Sequence, residues 1–363
     1  MALRRDLAHT PDPVTDHIVV PRERHGIELD EFLCLLYPLL NKGFLRGLIR
    51  DGMVLLDGAK TLHSKHLRTD QVVSIDINED PETLPQRPVA PVLELDVLYE
   101  DEDVMVVDKP AGLPVEPERW AKGNACLSGA LLDLALKRSH VDVEHAAQAA
   151  EGMDFRPRLV HRIDKDTTGA VLVAKNIESE RRLREAFAEG TVHKSYLALV
   201  EGEYPLLDGQ STTIDLPIGP DHRKSGRMRV DEKGGKASRT QVQVEQRFSG
   251  FTLMRCAPLT GRTHQIRVHL SATGFPLVVD ASYGRRTSLA LSEIKRNYRP
   301  KRGGCESPLI ARLTLHAERI AFPDRTGQLQ QVQAPLPKDF TRVLKQMTKV
   351  RPPRRPGGSQ HSY

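Results

Sequence analysis

Leu159-Val160-His161-Arg162-Ile163-Asp164-Lys165-Asp166-Thr167-Thr168-Gly169-Ala170-Val171-Leu172-Val173-Ala174-Lys175 sets a charged loop between two apolar runs. The runs, Leu159 to Ile163 and Ala170 to Ala174, are short and rich in branched aliphatic residues, which predicts strands. A loop pinned at both ends holds a carboxylate rigidly at the edge of a core, a position that suits a nucleophile or a base. Two later segments carry matching groups. Gly261-Arg262-Thr263-His264-Gln265-Ile266-Arg267-Val268-His269-Leu270 offers Arg262 and Arg267 as bidentate donors to a carboxylate or phosphate. Lys194-Ser195-Tyr196 sets a cation and a phenol two apart, on one face of a strand. Each residue also fits a plainer part: Asp164 closing an Asx-turn, Arg267 in a structural ion pair, Tyr196 half-buried in its strand. His264 and His269 stand five apart, off the helical zinc spacing, so no metal is expected.

Upstream, Val97 to Tyr99 and Val104 to Val107 flank an acidic turn and predict a hairpin, and Lys109-Pro110-Ala111-Gly112 then forces an irregular loop. Leu127 to Leu136 predicts a helix, and Asn176 predicts the cap of another that Gly190 stops. Strands and helices follow without clean βαβ spacing, so the expected class is α+β with a mixed or antiparallel sheet. Residues 79–92 carry four prolines and read as a linker. Before it, 16–78 reads as a small domain of two helices and a small sheet, with Pro38 limiting the first helix. The expected divisions are a tail at 1–15, a domain at 16–78, the linker, a main domain at 93–345 holding a surface insertion at 138–156, and a basic disordered tail at 346–363.

Hydrophobic residues make up 39% of the 363, enough to build cores and to exclude global disorder. The net charge is only +5, yet seven basic residues face two acidic ones between Arg223 and Arg239, and seven face one between Arg285 and Arg302. Charge concentrated in this way suits a polyanion surface. No apolar run approaches a membrane span, and no secretory signal opens the chain. Cys34, Cys126, Cys256 and Cys305 form no close pair, which fits a reducing compartment and a soluble cytoplasmic protein. Motifs for nucleotide hydrolysis, nicotinamide chemistry, and serine or zinc hydrolysis are absent from the sequence.

His161-Arg162-Ile163-Asp164-x-x-Thr167-Thr168-Gly169 closely resembles the HRLDxxTSG signature of the RluA-type RNA pseudouridine synthases. The KPAG loop at Lys109, the strand from Lys194 to Gly202, the GRTHQIRVH segment, Asp280 to Gly284, and Leu315-His316-Ala317 resemble further motifs of that family, in its order. Residues 16–78 resemble the alpha-L RNA-binding module, with Glu28-Leu29-Asp30 at its usual Arg-Leu-Asp opening. The resemblance implies the pseudouridine synthase fold and the isomerisation of uridine to pseudouridine in structured RNA, ribosomal RNA of the large subunit before transfer RNA. It implies no cofactor and a monomer. By the motif match Asp164 is the catalytic carboxylate, Tyr196 lies against the target base, and Arg267 pairs with Asp164. His161, Arg162, Lys194, Arg262, His264 and Gln265 fall on the RNA side, with Arg162 entering the space that a flipped nucleotide leaves. Val279 stands where the family has glycine before Asp280, so the turn there is expected to differ locally. A non-catalytic RNA-binding or ribosome-assembly protein on the same scaffold is the second reading. An unrelated metabolic enzyme is the third.

Overall fold

A computed structural model describes residues 14–37, 42–77, 94–116, 125–138, 157–207, 209–299 and 306–353. Pro38, the linker 79–92, all but the first residue of the 138–156 insertion, and residues 354–363 lie outside these. The chain divides into two compact units: Met1–Leu93 with Glu118–Asn124 and Leu131–Arg156, and Glu94–Pro117 with Ala125–Ala130 and Pro157–Tyr363.

In the first unit, β1 (Val14–Val19), β2 (Val54–Leu56), β3 (Ala59–Lys60) and β4 (Val72–Ile77) form one sheet in the order β1-β4-β2-β3. Helices α1 (Leu29–Leu36) and α2 (Lys42–Asp51) bury Leu29, Phe32, Leu33, Leu45 and Ile49. Asp57 and Gly58 both have positive φ, the conformation that a two-residue hairpin turn needs between β2 and β3. Asp30 is fully buried and accepts from Arg46 Nε at 2.7 Å. The expected tail at 1–15 is corrected at its end. Val14 and Thr15 already belong to β1, because Val14 to Val19 pair along the whole of β4.

The second unit is built on a ten-stranded mixed sheet. Its strands are β5 (Asp96–Glu100), β6 (Val104–Lys109), β7 (Arg158–Leu159), β8 (Thr168–Ala174), β9 (His193–Glu201), β10 (Ser211–Asp215), β13 (Arg239–Phe248), β14 (Phe251–Pro258), β15 (Leu315–Pro323) and β16 (Leu329–Gln333). The order is β10-β13-β14-β9-β15-β8-β6-β5, with β16 on β15 and β7 on β8. Among the described residues only β8 and β15 run parallel. A separate two-stranded sheet pairs β11 (Ile218–Pro220) with β12 (Met228–Val230). Helix α3 (Leu127–Arg138) is shared between the units at Ala130 and Leu131; the other helices of this unit are α4 (Ile177–Glu189), α5 (Gln265–Ala272), α6 (Leu291–Ile294) and α7 (Lys338–Val350). Val106, Leu172, Leu183 and Phe322 centre one core cluster; Leu199, Phe251, Val279, Phe340 and Met347 belong to another. Asn176 caps α4 with a capping box, and Gly190 ends it in the left-handed region.

Two further expectations change. The strand expected over Leu159 to Ile163 ends at Leu159. Val160 would next face Leu172, but the Leu172 N–H instead donates to Nε2 of His161 at 2.9 Å, so a side chain takes the ladder position. The basic tail does not begin at 346, because α7 runs to Val350 and buries Phe340, Val343 and Met347 along one stripe. Val279 has no left-handed backbone; its side chain is buried in the core.

Candidate active site

Asp164 ends the chain segment entering β8, and the sequence around it makes a tethered turn. The Thr167 N–H donates to the Asp164 carbonyl at 3.1 Å, so main chain closes the turn and the carboxylate is left for other work. The fully buried Lys109 donates from Nζ to the carbonyls of Pro110, Leu113 and Lys165, each at 2.8 Å. The Gly112 N–H also donates to the Lys165 carbonyl at 3.0 Å. Three acceptors match the three hydrogens of an ammonium. Burial nonetheless pushes Lys109 down to about 7, against the opposing charges of Asp166 and Asp164.

Beyond the turn, Thr168 Oγ1 lies 2.9 Å from His316 Nδ1, and His316 Nε2 lies 3.3 Å from the Ala334 carbonyl. A carbonyl only accepts, so Nε2 carries the proton and Nδ1 accepts from Thr168. Gly169, with φ of +114°, faces Ala317 of the parallel strand, and a Cβ there would strike the Ala317 carbonyl.

Arg267 on α5 reaches the carboxylate. Its Nη1 donates to Asp164 Oδ2 at 3.0 Å, while Nε and Nη2 donate to Asp280 Oδ2 and Oδ1 at 2.8 and 2.9 Å. Asp280 is in turn fixed by the N–H groups of Ser282 and Tyr283 at 2.8 and 3.1 Å. Burial works against both charges of the inner pair. Their mutual hydrogen bonds prevail, raising the guanidinium above its ordinary value and holding the Asp280 carboxyl below its own. Asp164, with 22% of its side chain exposed, is the more open of the two carboxylates.

Tyr196 on β9 pairs with Cys256 and Ala317 and is 8% exposed. Burial, then the charge on Asp164, pushes its phenol well above the ordinary value, so it keeps its proton at neutral pH. The structure therefore brings Asp164 and Arg267 into direct contact and puts the Tyr196 phenol within reach of the carboxylate's field.

The residues expected on the RNA side divide. Arg162 and Arg262 are exposed; Arg162 lies 3.5 Å from Glu116 and Arg262 donates to the Ala237 carbonyl at 3.2 Å. His264 takes a left-handed backbone at the start of α5, and its Nδ1 lies 2.8 Å from the Tyr283 hydroxyl. Lys194 lies 5.4 Å over the Phe187 ring, and burial lowers its ammonium. Two are turned inward. Gln265 accepts from Thr260 and the Arg262 N–H and donates to Arg239 and Thr240, which uses its whole amide. His161 packs on Phe187, accepts from Leu172, and is pushed down to about 3 by burial and then by Lys194. Asp280, Tyr283, His316 and Lys109 lie within the matched motifs, but the sequence reading gave them no part in the site.

The mixed sheet is the fold of a pseudouridine synthase, and the chain belongs to the RNA pseudouridine synthase family. It is of the RluA type. The family described as RNA pseudouridylate synthase matches residues 103–272, a span that contains Asp164, Tyr196 and Arg267. The uncharacterized RNA pseudouridine synthase YlyB of Bacillus subtilis is 33% identical over 92% of this chain and 98% of its own length. The ribosomal large subunit pseudouridine synthase D of Nitrosomonas europaea is 35% identical over 91% of this chain and 87% of its own. Human RNA Pseudouridylate Synthase Domain Containing 4 has the same fold, with a TM-score of 0.50 and 24% identity over 69% of this chain and 92% of its own.

Proposed function

We propose that this isomerase converts uridine to pseudouridine in ribosomal RNA of the large subunit, with transfer RNA the second candidate, and that Asp164 is the carboxylate that does the chemistry. The contact that carries the reading is Arg267 Nη1 on Asp164 Oδ2 at 3.0 Å, with Asp280 holding the other two guanidinium donors. An arginine locked from behind presents the front carboxylate in one orientation, as attack on C1′ or removal of a proton requires. In the reaction the N1–C1′ bond breaks, the uracil turns, C5 bonds to C1′, and the C5 proton leaves as N1 gains one. The protonated phenol of Tyr196 serves as a stacking face and O–H donor for the base, not as a phenolate base. The name of the Nitrosomonas europaea relative supports large-subunit RNA as the target.

The test is a map of pseudouridine at nucleotide resolution in total RNA from cells with and without the gene, after re-expression of the wild type or of Asp164→Ala. Sites lost on deletion and restored by the wild type alone support enzyme, residue and substrate together. Restoration by Asp164→Ala refutes the assignment of the carboxylate. Lost sites in other RNAs alone refute the choice of ribosomal RNA.

A further inference from the structure

Tyr283 stands where two parts of the second unit meet. Its ring has two cations over it: the Arg267 guanidinium carbon at 4.9 Å from the centroid and that of Arg227 at 5.0 Å. Its hydroxyl lies 2.8 Å from the Met228 N–H and 2.8 Å from His264 Nδ1. Burial raises the phenol and lowers the imidazole, so the hydroxyl keeps its proton, and it accepts from the Met228 N–H. Arg227 and Met228 belong to the β11–β12 hairpin, which stands apart from the main sheet and seats Ile218, Met228 and Val230 against Tyr283 and Val268. Arg223, Lys224 and Arg229 on the same hairpin are exposed.

On its other side Tyr283 is fixed to the site itself, its N–H donating to Asp280 Oδ1 at 3.1 Å. Gly284 closes that turn, with its N–H on the Asp280 carbonyl at 2.9 Å; a Cβ there would lie 2.8 Å from the same oxygen. The ring therefore has little freedom on the side of the carboxylates, while on the other side it is tied to a basic hairpin. Cation–π contact and two hydrogen bonds join these sides through one residue.

We propose that Tyr283 is the positioning residue that joins the basic β11–β12 hairpin to the Arg267–Asp164 pair, so that RNA phosphate held on the hairpin fixes the guanidinium that orients the carboxylate. The inference rests on the reading of Asp164 as the reacting group.

Single-turnover pseudouridine formation is measured on total RNA from cells lacking the gene, and affinity is read separately by fluorescence anisotropy on a short RNA duplex. Tyr283→Phe keeps the ring beneath both guanidinium groups and removes both hydrogen bonds of the hydroxyl. The expected result is a rate about tenfold lower at saturating RNA, with duplex affinity and thermal midpoint unchanged. Adding Arg227→Ala to Tyr283→Phe is expected to give a rate no lower than that of the slower single variant, since both cut one link. An unchanged rate in Tyr283→Phe, or losses that simply add, overturn the proposal. A joint fall of rate, affinity and midpoint gives Tyr283 a merely structural part and overturns it too. Should Tyr283→Phe not fold, Arg227→Ala cuts the same link from the hairpin and is expected to lower the rate at saturating RNA; an unchanged rate overturns the proposal. Asp164→Ala is run on the same RNA: retained turnover there refutes the reading beneath the proposal, a result separate from any outcome at Tyr283.

Discussion

Three donors of Arg267 serve two carboxylates that stand far apart in the chain, and only a planar fork can do this. Arg267→Lys supplies one point charge where two buried acceptors need it. It is expected to lower unfolding stability by about 3 kcal/mol and to slow turnover at saturating RNA at least a hundredfold, checked by urea titration and single-turnover kinetics. Lys109 makes a second case, with a sign that follows from linkage. Burial pushes the folded ammonium down to about 7 from 10.5, while the unfolded chain keeps its proton up to the higher value. Between these values the unfolded state binds more protons, so the stability contributed by this residue rises with pH. The stability of wild type relative to Lys109→Met is therefore expected to increase between about pH 7 and pH 10; a constant difference in urea midpoints would refute it.

Among the elements, the joint of β8 and β15 is the one that admits no side chain. Gly169→Ala places a methyl against the Ala317 carbonyl at a backbone angle that L-residues avoid. It is expected to lower the thermal midpoint by ten degrees or more, or to abolish soluble expression, read by differential scanning fluorimetry beside a control at Gly209, where a Cβ meets nothing. What the sequence told of these elements follows from the range of the forces that make them. Helix α4 was legible because Leu183 lies within its thirteen residues and Asn176 and Gly190 flank them directly. Strand β8 was legible because all seven of its residues are buried. The short β7 was not, since its continuation is taken by the imidazole of a residue two places on. Nor was β1, whose reason to exist is a partner more than fifty residues away. In the site, the motif match named Asp164 and Arg267, but which carboxylate takes two of the guanidinium donors is decided by the fold of the 280–284 turn. The reading of Gln265 missed that its amide is consumed in the turn it helps to build.

At the scale of the molecule the sequence concentrates basic residues at 223–239 and 285–302. Arg223 and Lys224 are exposed at the tip of the β11–β12 hairpin. Replacing both with alanine is expected to weaken binding to an RNA duplex and to reduce the slope of log Kd against log salt by about 2, measured by anisotropy across a salt series. An unchanged slope would take these two residues off the RNA. No helix among the described residues is long and apolar enough to cross a membrane. The site's own parts are scattered along the chain: Lys109 and Asp164 come early, Arg267 and Asp280 later, and the strand that faces Gly169 and supplies His316 later still. A ribosome making this protein releases Asp164 long before Leu315. Through that interval the nascent chain carries Asp164 without the strand that seats its turn, so the Arg267–Asp164 contact forms on a finished sheet only after release of that strand.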